Sequence, residues 1–349
     1  VENAIVRRVE RSLLPAVTGT TKARKGKRNT RSGAAYRAYL KGRYFWNRRA
    51  EHDMRKGIDC FNEAIAIDQN YALAYAGLAD SYLMLINWGA MSSKEGAPLA
   101  KAATMRALEI DPDLGEAHAS LGYIQAGFEW DWAGSERELK RSIDLNPADI
   151  TPRQWYAVWL TLFARWDEAL EEIERAREID PLSLIVAAVK GWTLAQMGRY
   201  EEARGELLRT LDLEPNYLPA HVYLARLSVM EGCSEDGVAR LQKLPADLNG
   251  NRMILADLGH AYASAGREGE ARRLLDQLVS HSAREAAPHY YLALVYAGLK
   301  DNEQAFVCLE RAADDRELQF GVWFRREPRF ALMREDPRHT VLLKRMNLR

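Results

Sequence analysis

A chain of 349 residues exceeds the size at which one hydrophobic core usually stops growing, so it is either two or three domains or an array that lengthens by stacking. Lys+Arg and Asp+Glu both number 49, which gives no case for nucleic acid or an anionic membrane as a partner of the chain as a whole. Three dispersed cysteines (Cys60, Cys233, Cys308) without a CxxC argue against a disulfide framework or a zinc site and for a reducing, cytoplasmic setting. No apolar run approaches the roughly 20 residues that span a bilayer.

In chain order, residues 1–17 predict one amphipathic helix, because Ile5, Val9, Leu13 and Val17 recur at a spacing of four. Residues 18–33 are linker-like and basic, with Lys22, Arg24, Lys25, Lys27, Arg28 and Arg31 and no acid. They read either as an arm touching nucleic acid or lipid, or as a solvated tether. The lack of interleaved aromatics favours the tether. A repeat array is predicted over 34–315. Its first unit (34–70) carries NRRAEHD between its helices. The second (71–112) is lengthened by roughly nine residues around INWGAMSSKEGAP, and the third (113–147) replaces its turn with FEWDWAG. These insertions are expected to project as loops.

From there the register is strict. Ala169, Ala203, Gly237, Ala271 and Ala305 are each 34 residues apart and all small. Four residues later stand Ile173, Leu207, Leu241, Leu275 and Leu309. A second small ladder runs Ala157, Gly191, Ala225, Gly259 and Ala293. Gly198, Gly232 and Gly266 mark the joints, and Pro181 and Pro215 end units. Small residues let two helix axes approach, large ones interlock, and glycine permits the left-handed turn that ends the first helix. One such hairpin cannot bury its apolar face alone, whereas stacked neighbours bury it for one another. Residues 316–349 break the frame. Trp323, Phe324, Phe330, Leu332, Met333, Leu342 and Leu343 are expected to cap the last exposed face.

This small–large–small pattern at a period of 34, clearest in GWTLAQMGRYEEARGELLRTLDLEPN (191–216), resembles the tetratricopeptide repeat (TPR) family. The resemblance implies an all-α fold, a right-handed α-solenoid of about eight TPR helical hairpins. Both ends carry a narrower likeness. The run from AYRAYLKGRYFWN to ADSYLML, and the closing EPRFALMREDPRHTVLLKRMNL, are similar to TPR regions of bacterial signalling proteins. In those proteins the array follows a winged-helix, adenylate cyclase or serine/threonine kinase domain. The resemblance implies a regulatory or scaffolding half that binds a protein or peptide, with nucleic acid reached only through a fused domain.

In a TPR array the first helix of each unit lines the concave groove. One residue beyond each small position gives Asp80, Tyr123, Val158, Trp192, Arg226, His260 and Leu294, with Tyr290 four before Leu294. Asp80, Tyr123, Trp192, Arg226, His260 and Tyr290 are therefore the candidate protein-binding residues, and packing within or between units is the alternative. Trp88, Trp130 and Trp132 lie in insertions and are candidate anchors or packing residues. Arg226 is suited to pairing a carboxylate.

Chemistry is absent from the motifs. None of the seven histidines forms HxxxH or HExxH, and His118, His221 and His289 recur at one place in their units. There is no GxSxG, Walker loop or GxGxxG. Acid pairs such as Glu171–Glu172 and Glu201–Glu202 are expected to face solvent at the starts of second helices. The chain reads as non-enzymatic, with no cofactor or metal.

Overall fold

The computed structural model describes residues 30–348, apart from 246, 247, 249 and 283–288. The expected helix over 1–17 and most of the basic linker lie outside the described residues. The described chain is helical, with no strand among its described residues.

Sixteen helices form eight hairpins. They are α1 (Gly33–Asn47) with α2 (Glu51–Ile67), α3 (Ala72–Asn87) with α4 (Ser93–Ile110), α5 (Gly115–Ile124) with α6 (Trp132–Leu145), and α7 (Ile150–Leu162) with α8 (Trp166–Ile179). Then follow α9 (Leu184–Gln196) with α10 (Tyr200–Leu213), α11 (Leu218–Met230) with α12 (Ser234–Gln242), α13 (Arg252–Ser264) with α14 (Glu268–Ser282), and α15 (His289–Gly298) with α16 (Asn302–Asp314). After the array come α17 (Leu318–Trp323), two 3-10 turns (Phe324–Arg326 and Pro328–Met333) and α18 (Pro337–Arg345).

The ladders read from the sequence are the packing surfaces. Ala169, Ala203, Ala271 and Ala305 are fully buried, as are Ile173, Leu207 and Leu309. A Cβ on Gly191 would stand 2.6 Å from the Leu207 side chain, so the α9–α10 approach needs glycine there. Each joint between paired helices holds one residue in the left-handed region. They are Arg49, Gly89, Trp130, Ala164, Gly198, Gly232, Gly266 and Lys300. Only three of these belong to the glycine ladder. The other joints make the same turn without it, because the stacked helices on either side dictate the path.

First helices touch one another along the whole array, while second helices pack mainly against the first helices beside them. The first helices therefore form the inner, tighter layer of a superhelix.

The insertions do not project. Residues 125–129 form a π-turn that ends at Trp130, with φ 57°. Trp88, Trp130 and Trp132 are buried. Indole rings are large apolar surfaces, and these three turn inward to contact distant parts of the chain, where burying them releases water. The segment after residue 315 packs on α16, as a cap must. It also crosses the interior of the superhelix to reach α3, α7 and the π-turn.

Candidate interaction surface

The interior stripe predicted from the repeat is brought together on the inner layer, and the chain's own C-terminal segment lies on it. Asp80, Tyr123, Trp192, His260 and Tyr290 are all less than a tenth exposed. Trp192 stacks on Tyr223 at 5.2 Å and 17°, and the Arg226 guanidinium lies 5.7 Å from the Trp192 ring. Tyr123 packs against Trp155 at 4.7 Å and donates to Asn87 Oδ1 at 3.1 Å. Asp80 accepts from Ser120 at 2.7 Å and from Arg43 at 3.1 Å. Burial pushes the Asp80 carboxyl up to about 6, against the opposing pull of Arg43.

Arg226 does pair a carboxylate, but an internal one. Its Nε and Nη2 donate to the two oxygens of Asp257 on α13, at 3.1 and 2.9 Å. Arg329 of the C-terminal segment also binds Asp257 and forks onto Glu327. Tyr290 donates its hydroxyl to Glu327 at 3.2 Å. Burial alone would raise the Glu327 carboxyl. The Arg329 charge and hydrogen bonds overrule it and hold the group at about 2. Two cations and two anions are thus balanced away from water, the condition under which buried charge is tolerable.

Backbone clasps fix the segment. Leu318 N–H donates to Ser93 Oγ at 3.0 Å, and the Gln319 amide donates to the Ile86 carbonyl. Gly321 lies so close to Gly127 in the π-turn that a Cβ on it would collide with the Gly127 carbonyl. Trp130 packs on Phe320 at 5.8 Å, and Arg316 covers its other side at 3.7 Å. Trp132 Nε1 donates to the Met346 carbonyl at 2.6 Å. Asn251 caps α13 by accepting from Met253 and Ile254, and its amide donates to the Trp88 carbonyl at 2.8 Å. The insertion tryptophans therefore sit at the contacts that close the superhelix, and none of the three is exposed.

Magnitudes decide whether this occupancy is exchangeable. Phe320, Phe324 and Phe330 are fully buried. At roughly 1.5–3 kcal/mol each they contribute about 5–9 kcal/mol. A partner of micromolar affinity brings about 8 kcal/mol in total, within the same range, so a competing segment would have to match all three rings to take their place. Of the predicted stripe, His260 also reaches an open surface. It lines a cleft of about 640 Å³ with Val229, Ala263, Leu299, Pro328 and Leu332. Leu332, predicted as cover for the last unit, is 80% exposed beside this cleft.

Burial pushes the His260 imidazole down to about 3, and the Arg329 charge adds to the effect, so it is neutral. His118 and His221 each make the same contact to the carbonyl of a preceding proline, Pro112 at 2.9 Å and Pro215 at 2.8 Å. Their recurrence is structural. His289, Asp315 and Glu317 form the one grouping with metal-ligand spacing among the described residues. There Glu317 accepts the N–H groups of His289 and Tyr290 at 2.7 and 2.9 Å, which caps α15. The acid pairs are not all solvated, since Glu172 is buried and accepts from Arg153 at 2.6 Å.

No family model matches the chain. The transcriptional regulator HilA of Salmonella typhimurium is 23% identical over 180 residues, which is 51% of this chain and 32% of that protein. The chain thus matches about a third of that relative's length. Among solved structures, the APC/C hetero-tetramer Cut9–Hcn1 superposes with a TM-score of 0.59 at 17% identity, over 97% of this chain and 59% of that one. The human IFIT1 dimer with m7Gppp-AAAA gives 0.57 at 16%, over 89% and 77%. These likenesses are of fold. The chain is a TPR-like helical-repeat solenoid, all-α, of the architecture that scaffold proteins use.

Proposed function

We propose that this chain is the non-catalytic interaction module of a bacterial signalling protein, and that it binds a protein or peptide segment at the open cleft beside Leu332. The supporting observation is the exposure of Leu332 over an open cleft with mixed apolar and charged walls, Glu268 and Lys300 among them, next to an interior otherwise sealed by the chain itself. A large apolar side chain left in water at the edge of a concavity is the composition of a binding surface. His260 belongs to this surface. Trp192, Arg226 and Tyr290 instead lie against residues 317–333, and Asp80 and Tyr123 bond within the array.

A photo-crosslinking residue placed at Leu332 should label a partner, and one placed at the equally solvated Leu182 should not. Equal labelling at both positions, or labelling unaffected by Leu299→Asp in the cleft wall, would sink the assignment.

The similarity to HilA favours a more particular form of the same reading. The array would serve a transcriptional regulator that acts on DNA through a fused winged-helix domain. This chain alone should then show no salt-dependent DNA binding, and the fused protein should show it strongly.

A further inference from the structure

Most described arginines in this chain meet a carboxylate, and among those with no ion pair Arg325 and Arg326 stand side by side. Arg325 lies 4.7 Å over the Phe163 ring, and Arg326 lies 5.9 Å over Trp166. Neither has an ion pair among the described residues, although the chain holds 49 acidic groups for its 49 basic ones. Arg325 Nη1 and Arg326 Nε are buried with no hydrogen-bond partner. Arg334, the next cation after the ion-paired Arg329, donates to the Glu327 carbonyl at 3.4 Å. Glu327 is nearby, but Arg329 and Tyr290 already occupy both its oxygens.

Arg326 also lines a narrow cleft with Val158, Thr161, Trp192, Gln196 and Glu327. Trp192 is 4% exposed, and its indole N–H has no partner. The Gln196 amide oxygen there is unpaired too, and a half-turn of the amide would present a donor instead. Donors without acceptors on one side and guanidinium forks without carboxylates on the other leave a single chemical role unfilled, that of a shared acceptor with negative charge.

We propose that Arg325 and Arg326, with Arg334 behind them, seat a multivalent oxyanion of the phosphoryl or carboxylate kind at the mouth of this cleft. Guanidinium forks bind both kinds bidentately, and stacking on aromatic rings holds the forks in place before the ligand arrives. One oxygen reaches the Trp192 N–H within the cleft, and the rest of the anion stays against the guanidinium groups. Burial already depresses the basicity of both arginines, helped by the Arg326 charge at Arg325 and the Arg334 charge at Arg326, as expected for cations lacking their counter-charge.

The test is calorimetric titration of the full chain with pyrophosphate and, separately, with citrate, at ionic strength matched by NaCl. Saturable binding of one anion per chain is expected, and the anion that binds more tightly assigns the phosphoryl or the carboxylate kind. Arg325→Gln with Arg326→Gln should weaken it at least tenfold, and Arg326→Lys, which keeps the charge but loses the fork, several-fold. Without anion, the double variant should melt at the same temperature as the parent or higher, because it removes an uncompensated pair. Absence of saturable binding, unchanged binding in the double variant, or a double variant that melts several degrees lower or fails to fold would each overturn the proposal. The last two results would make the pair structural.

Discussion

In hairpins five, six and seven the chain leaves its first helix through Gly198, Gly232 and Gly266, and nothing lies within 4 Å of where a side chain would stand. In hairpin two the same joint is Gly89, where a Cβ would meet Met253 N at 3.0 Å and the Tyr291 hydroxyl at 3.1 Å. In hairpin three it is a π-turn that ends in a buried tryptophan pressed on Phe320. The three glycine-ladder joints are free surface, and the Gly89 and Trp130 joints are interfaces. Regularity serves stacking between neighbours. The departures from it mark where distant parts of the array meet.

That contrast can be broken at several points. Asp257→Ala should cost most, about 3–5 kcal/mol, because it strands Arg226 in the interior without its carboxylate and leaves Glu327 alone against two cations. Chemical denaturation should show it as a lowered midpoint, and an unchanged midpoint would mean the network is solvated. Gly321→Ala should cost about 1–3 kcal/mol through backbone overpacking against Gly127, and more if the segment is forced off the π-turn. Increased protease cleavage after residue 315 would report the displaced segment.

Acid should act through His260. Its folded value of about 3 lies below the ordinary 6.5, so the unfolded chain takes up the proton first. The stability this group contributes is whole above pH 6.5 and is lost as pH falls toward 3, at up to about 1.4 kcal/mol per unit. His260→Gln should flatten that part of the stability profile relative to the parent. Identical slopes would show the imidazole to be solvated.

The smallest effects compare the joints themselves. Gly232→Ala should cost roughly 1 kcal/mol from its left-handed backbone alone, and Gly89→Ala more, from crowding as well. Thermal melts of the two variants side by side measure the difference. Equal losses would erase the distinction between free joint and interface.

The legibility of the fold follows the same division. The 34-residue ladders were readable because each encodes contacts between adjacent helices, which sequence spacing fixes directly. Eight hairpins could therefore be counted. The course of residues 317–333 was not readable, because pairing Gln319 with Ile86 depends on how far the superhelix has curved after six hairpins. The stripe residues stand on first helices, and the segment of the same chain that lies beside Trp192, Arg226 and Tyr290 was not foreseen. One signal was available in the insertions. Trp88, Trp130 and Trp132 are poor residues for loops in water, and their weight argued for burial. The glycines of 127 and 321 carried no signal alone, since each is explained only by the other.

The bonds from Asn251 to Trp88 and from Trp132 to Met346 join residues 163 and 214 apart. An open solenoid can fold from any repeat outward as it is synthesised, because each unit needs only its neighbour. This one cannot finish that way. Its third hairpin presents Trp130 and Trp132, whose partners Phe320 and Met346 are made about two hundred residues later, so that hairpin must wait with apolar surface uncovered until residues 318–346 arrive. Non-local closure of this kind slows folding and couples the ends into one cooperative transition. For this protein the third hairpin is made well before the segment that covers it, and the vulnerable interval lies between the two.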